Sequence, residues 1–117
     1  MAKNDLASVS QEVGLAFPNG ARLVGVDRED GDGLVEFKVA MTEAEWAQFA
    51  STSPVPVDSM APSSGKQIGP DHGWWDPGKA PGLRAGQTER PGARYLHIAF
   101  ARLGDGTVAV YVRDHGT

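Results

Sequence analysis

The stretch from Leu34 to Ala50, LVEFKVAMTEAEWAQFA, changes its hydrophobic period partway along, and that change decides the fold class. Val35, Phe37, Val39 and Met41 alternate with Glu36 and Lys38, the period-two pattern of a strand with one buried face. At Thr42 the alternation stops. Thr42-Glu43-Ala44-Glu45 is a capping box: the Thr42 hydroxyl reaches the Glu45 N–H and the Glu45 carboxylate reaches back. The helix that follows runs over 43–51, with Trp46, Phe49 and Ala50 spaced i, i+3, i+4 along one face. Ser51-Thr52-Ser53-Pro54 ends it, since the residue before a proline is steered away from helical backbone.

Upstream, Ala21 to Arg28 reads as a strand with Val24 and Val26 on one face. Asp27-Arg28-Glu29-Asp30-Gly31-Asp32-Gly33 carries the turn, so 21–41 forms a hairpin. Before it, Pro18-Asn19-Gly20 is a turn. A short helix over 5–13 is capped by Asp5 or Asn4, carries Leu6, Val9 and Val13 on one stripe, and ends at Gly14. Downstream, 94–113 forms a second hairpin, with Leu96, Ile98 and Phe100 on one strand and Val108, Val110 and Val112 on the other. Its register follows from its loop. A two-residue loop would set Phe100 beside Ala109 or Tyr111 and split the apolar faces. The three-residue loop Gly104-Asp105-Gly106 pairs Phe100 with Val110 and Ile98 with Val112, and gives Gly106 the left-handed position. The expected fold is α+β: one domain over 1–117, with a four-stranded antiparallel sheet of two hairpins and the 43–51 helix on one face. The other face is open, covered by the rest of the chain, or paired with another molecule.

Between helix and second hairpin lies an insert over 54–92. It holds seven of the eight prolines, seven of the fifteen glycines and two of the three tryptophans. Loops this long are uncommon in compact domains and are usually functional or disordered. Disorder goes with few aromatics, and Trp74-Trp75 argues against it. At least one indole is expected to lie against the body, because each carries a large apolar surface.

The composition bounds the function. A chain of 117 residues buries roughly two thirds of its unfolded surface. At 40% hydrophobic and 22% charged it is ordinary globular material. A net charge of −4 argues against a nucleic-acid module, which would show a basic face. With no cysteine there is no disulfide, thiolate metal site or cysteine nucleophile. No apolar run approaches the ~20 residues of a membrane span. No signal peptide follows Met1, so the expected location is the cytoplasm, or outside it if a leader has been removed.

The insert also holds the candidate contact residues. Trp74 and Trp75 serve as anchors, Asp76-Pro77 as the turn that aims them, and Arg84 and Arg90 as polar neighbours, because Trp and Arg dominate interface energetics. The plainer account of either tryptophan alone is that it plugs the sheet. His72 stands beside Asp71 and four residues before Asp76, so a His–carboxylate pair able to act as general base is one reading; an exposed histidine in a polar loop is the plainer one. His97 lies on the strand face opposite Leu96 and Ile98. No two of the three histidines, at 72, 97 and 115, have a metal-binding spacing. The acidic turn fails the calcium template, because aligning Gly33 with the invariant glycine puts Arg28 at the first ligand position and Val39 at the last. No metal or cofactor is therefore expected.

GARLVGVDRED…GLVEFKVAM, the capped helix ending in SP, WWDP with a downstream RAGQ, and RYLHIAFAR…VAVYV together resemble a group of small proteins and lipoprotein domains of high-GC Gram-positive bacteria. The resemblance covers most of 18–113. Its most specific piece is Trp74-Trp75-Asp76-Pro77 followed by Arg84-Ala85-Gly86-Gln87. It implies no catalytic residues. The chain departs from the lipoprotein versions in having no leader and no cysteine to lipidate.

The function expected is a non-catalytic bacterial binding or interaction module. It would recognise a protein or small molecule through its 70–90 segment, with His72, Trp74, Trp75, Asp76, Arg84 and Arg90 as contacts. Two rivals stand beside it: a small enzyme with a His/Asp site between insert and sheet, and a homodimeric assembly protein that hides the second sheet face.

Overall fold

A computed structural model describes residues 5–29, 33–65 and 68–116. The acidic turn falls partly outside these residues, at 30–32, and the insert at 66–67. The first helix, α1 (Leu6–Val13), is capped by Asp5, whose carboxylate accepts the Ser8 N–H at 2.8 Å; Gly14 closes it in the left-handed conformation, φ 74°. Strands β1 (Arg22–Glu29) and β2 (Leu34–Thr42) form the first hairpin and lead into α2 (Glu43–Thr52). The capping box is present in both directions: Thr42 N–H to Glu45 Oε1 at 2.8 Å, and Glu45 N–H to Thr42 Oγ1 at 3.2 Å. Then come β3 (Ala61–Pro62), β4 (Arg84–Arg90), β5 (Arg94–Arg102) and β6 (Thr107–Gly116).

The class is α+β, and the sheet has six antiparallel strands in the order β1-β2-β6-β5-β4-β3, not four. The two additional strands come from the insert. RAGQTER over 84–90 carries no apolar alternation, yet it pairs with β5 from Arg84↔Phe100 to Arg90↔Arg94. Gly86 permits this. A Cβ there would stand 2.7 Å from Val55 Cγ1, so the 53–60 segment packs directly against the strand backbone. Pro91, Gly92 and Ala93 lie between β4 and β5, with Gly92 and Ala93 at positive φ.

The β5–β6 register is the one its loop dictates: Phe100 faces Val110, Ile98 faces Val112, and Gly106 sits at φ 87°. In the first hairpin the expected Val24–Val26 face is corrected. The pairing slips between Leu23 and Gly25, a bulge that turns Leu23 and Val26 toward the core and leaves Val24 47% exposed.

One side of the sheet carries the main core. Phe37 and Val39, Ile98 and Phe100, and Val108 and Val110 meet Trp46 and Phe49 of α2 in a single buried cluster with Val9 and Val13 of α1. Trp46 lies against Phe100, ring centroids 4.2 Å apart, and Phe17 against Phe49 at 4.6 Å. The other side carries a smaller cluster. Ile68, Trp75 and Leu83 from the insert cover Ala99, Ala101, Ala109 and Tyr111. The insert therefore covers part of the face that a dimer would have hidden. No helix among the described residues is long and apolar enough to cross a membrane.

Candidate functional site

The register of the sheet lines up two neighbouring rows of side chains on the insert side. Gly25, Lys38, Tyr111, Ala99 and Ala85 form one row across β1, β2, β6, β5 and β4. Small side chains leave room on it, and the insert lies there. Trp75 is fully buried, its indole N–H donating to the Ile68 carbonyl at 3.1 Å and its ring meeting the Tyr111 ring at 87°. The next indole crosses Gly25, where any Cβ would stand 2.4 Å from the Trp74 ring. Asp76 accepts from the Tyr111 hydroxyl at 2.6 Å and from Lys38 Nζ at 2.9 Å. Burial works to raise the Asp76 pKa, but the Tyr111 and Lys38 hydrogen bonds and the Lys38 charge outweigh it and hold the carboxyl below its ordinary value. Burial and the same contact push the Tyr111 hydroxyl far up, so it stays a donor.

The second row is polar: Asp27, Glu36, Arg113, His97 and Gln87, again one residue from each of five strands. The insert supplies one more group. His72 and Trp75 exchange two backbone hydrogen bonds of 2.7 Å around Gly73, a tight turn that places the imidazole above β2. There His72 Nε2 lies 2.5 Å from Oε1 of Glu36, a carboxylate only 5% exposed. Arg113 Nη1 lies 3.8 Å from the other Glu36 oxygen. Its guanidinium passes beneath Gly69, where a Cβ would come within 1.9 Å of Nη1.

All three histidines belong to this side of the sheet. His115 sits one row further along, opposite Tyr95. Its Nε2 is 3.0 Å from that of His97, and its Nδ1 is 3.0 Å from the Gly116 carbonyl. The carbonyl requires a proton on Nδ1 of His115. In the neutral pair, then, His97 Nε2–H donates and His115 Nε2 accepts. Desolvation lowers the pKa of His97, helped by the charges of His115 and Arg113 and opposed by Asp114. Two clefts lie along the polar row, and Arg113 lines the first of them. One, of ≈350 Å³, lies among Asp27, Glu36, Pro70, His72 and Arg113. The other, of ≈180 Å³, lies among Ser63, Ile68, Gln87 and His97.

Of the residues expected from sequence, His72 and the rim of Trp74 border the polar row. Trp75 and Asp76 belong to the packing that holds the turn in place. Arg84 and Arg90 lie elsewhere: Arg84 Nη2 donates to the Met60 carbonyl at 2.7 Å, and Arg90 Nη2 donates to the Glu12 carbonyl at 2.9 Å. The carboxylate partner of His72 is Glu36, thirty-six positions away. Asp71, its sequence neighbour, accepts instead from the Gly78 N–H at 2.9 Å. Sequence reasoning missed Asp27, Glu36, Arg113 and Gln87. A signal was there. In HIAFAR and AVYVR the residues between the apolar positions include Ala99, Ala101 and Ala109, too small to be a solvated face and suited to being covered.

Set against models of protein families, curated proteins and solved structures, the chain matches none.

Proposed function

We propose that the protein is a non-catalytic binding module that holds a small polar ligand on the row Asp27–Glu36–Arg113–His97–Gln87, with the 70–76 turn of the insert as its wall. The observation that carries this reading is the convergence of that row with His72 beside two clefts. Ligand sites are concave and place a few polar groups convergently; five strands and the insert each contribute one here. A small ligand is favoured over a protein partner because the only large apolar side chains strongly exposed among the described residues are Val24 and Leu103. Val24 is on edge strand β1 and Leu103 follows β5, with β2 and β6 between those strands, so the two make no patch of the kind that marks protein interfaces. The role of the tryptophans changes accordingly: Trp74 borders the site and Trp75 holds its wall.

One observation favours a second reading, a small enzyme. The His72–Glu36 pair has the geometry of a base with its orienting carboxylate. Amide-resolved magnetic resonance separates the two. Titration with small carboxylates, phosphates and amino acids should move signals near 27, 36, 72, 87, 97 and 113, and Arg113→Ala should abolish the response. Shifts centred on Arg84 or Val24 would overturn the proposal. Turnover of a bound compound that is lost in Glu36→Gln would replace it with the enzyme.

A further inference from the structure

We infer that Asp27, Glu36 and His72 form a binding site for one divalent transition-metal ion, with open coordination positions facing the larger cleft. The inference rests on the binding reading above and names what that site holds first. The three side chains come from β1, β2 and the insert, and one donor atom from each lies within 4.8 Å of the other two. Ligands of a single ion at 2.0–2.2 Å stand roughly 3–3.5 Å apart, so exposed Asp27 closes in and His72 Nε2, 2.5 Å from Glu36 Oε1, draws back as the ion takes the place of the proton between them. No sequence spacing could reveal it, since the donors stand at 27, 36 and 72.

The surroundings suit an ion in three ways. First, the backbone positions that carry two of the three ligands are held. Glu36 is buried in the middle of the sheet, and His72 is held by its double backbone bridge to Trp75 and by the edge of the Trp74 ring, centroids 5.7 Å apart. A site held this way loses little order when it binds. Second, Asp27 is oriented by its own backbone, with Oδ1 accepting the Arg28 N–H at 3.0 Å. Third, the nearby cations are engaged elsewhere or balance the site. Arg28 reaches Glu12 at 2.6 Å. Arg113 addresses Glu36 Oε2, while Oε1 faces His72. Without an ion, the His72 Nε2–H donates to Glu36. When the ion enters, the neutral ring carries its proton on Nδ1 and turns the Nε2 lone pair to the metal.

One imidazole with two carboxylates suits zinc, manganese, iron or cobalt in the divalent state better than calcium, which takes oxygen alone. Three protein ligands leave at least one position for water or a ligand atom. With an ion bound, the two carboxylates are balanced and Arg113 is left as surplus positive charge beside the open position. The ligand chemistry that fits is a small anion, one oxygen on the metal and another on the guanidinium.

Calorimetric titration of the full chain with Zn²⁺ and with Mn²⁺ tests this. The expected result is one ion per chain, weakened about tenfold or more by His72→Gln and by Glu36→Gln. Asp27→Asn removes an exposed ligand without touching the core, so it reads the site even where Glu36→Gln unfolds the protein; it too should weaken binding. Replacing His115, which lies outside the row, by Gln should leave binding unchanged. Cobalt absorption in the visible should report the same residues. No binding up to ~1 mM, or binding lost with His115 instead of His72, overturns the metal site. Small-anion shifts along the polar row in protein that binds no metal would overturn the ion and leave the row standing. Failure of both would remove the face as a site.

Discussion

On the helix side of the sheet, β2, β5 and β6 present Phe37, Val39, Ile98, Phe100, Val108 and Val110, and two amphipathic helices close over them. On the insert side the same strands present Glu36, Lys38, His97, Ala99, Ala109, Tyr111 and Arg113. The first face is large, apolar apart from buried Asp114 at the far end of β6, and covered by regular structure. The second is divided: small residues receive the insert, and charged residues stand next to it. The comparison shows how one sheet serves two ends. Periodic burial on one face supplies the fold. The other face can then carry polar groups that contribute little to stability and are held by a rigid floor.

The largest expected effect tests whether the second face is part of the fold at all. Trp75→Ala empties a fully buried site and removes the hydrogen bond to the Ile68 carbonyl. A loss of ~3–5 kcal/mol is expected, equal to that of Phe49→Ala in the main core. Urea unfolding measures both. If Trp75→Ala cost under ~1 kcal/mol, the insert would be a veneer, and the turn that carries His72 would lose its rigidity. Reduced stability in one cooperative transition would join the two faces; two separate transitions would divide them.

A smaller effect sharpens the same point at Gly25. Its added Cβ would meet the Trp74 ring at 2.4 Å. Gly25→Ala should push that indole off β1, cost ~1–3 kcal/mol and shift the tryptophan fluorescence. Val24→Ala, one residue away on the exposed bulge, should change stability by less than ~0.5 kcal/mol. Equal effects at the two positions would mean that Trp74 does not rest on the strand.

The two faces were also unequally legible in the sequence. The helix side announces itself locally. Period two in LVEFKVAM, the TEAE box and the Gly104-Asp105-Gly106 loop each fix a register or a boundary, and all three are found. The insert side depends on contacts between distant positions. β4 was invisible because RAGQTER is a strand made by pairing with β5 and by Gly86 under Val55, not by its own hydrophobicity. His72 was singled out by its residue type, but its partner Glu36 could only be read once the insert was laid on β2. Trp75 and Asp76 were conspicuous for the right reason, an ordered insert, while their contacts point inward.

Acidification should act on the second face before the first. The pKa of His97 lies below the ordinary 6.5 because burial, then His115 and Arg113, disfavour its charge. Below 6.5 the unfolded chain binds more protons than the folded one. The stability associated with neutral His97 is therefore complete above 6.5 and falls as the pH drops from there to the folded-state pKa. Asp76 is displaced in the same direction from 3.8, so its contribution is lost only in a separate, more acidic window. Melting temperatures across pH 7.5 to 5, a range chosen about that ordinary value, should fall in wild type and flatten in His97→Gln. An unchanged profile in the variant would mean that the His97–His115 contact does not govern this range.

The smallest expected effect lies in the turn that brings β4 beside β5. Ala93 has φ 59°, the only positive φ among described residues other than glycine. A left-handed conformation costs an L-residue with a Cβ ~1–2 kcal/mol, and glycine avoids it. Glycine also adds freedom to the unfolded chain, which offsets ~0.4–1 kcal/mol of the gain. Ala93→Gly should therefore stabilise the protein by about 0.5 kcal/mol, seen as a higher urea midpoint with an unchanged slope. Destabilisation instead would mean that Ala93 is not left-handed and that the turn closes differently. A shift of one residue in that turn would carry Gln87 away from His97. The polar row would then end at β5, and the smaller cleft would no longer be part of the site.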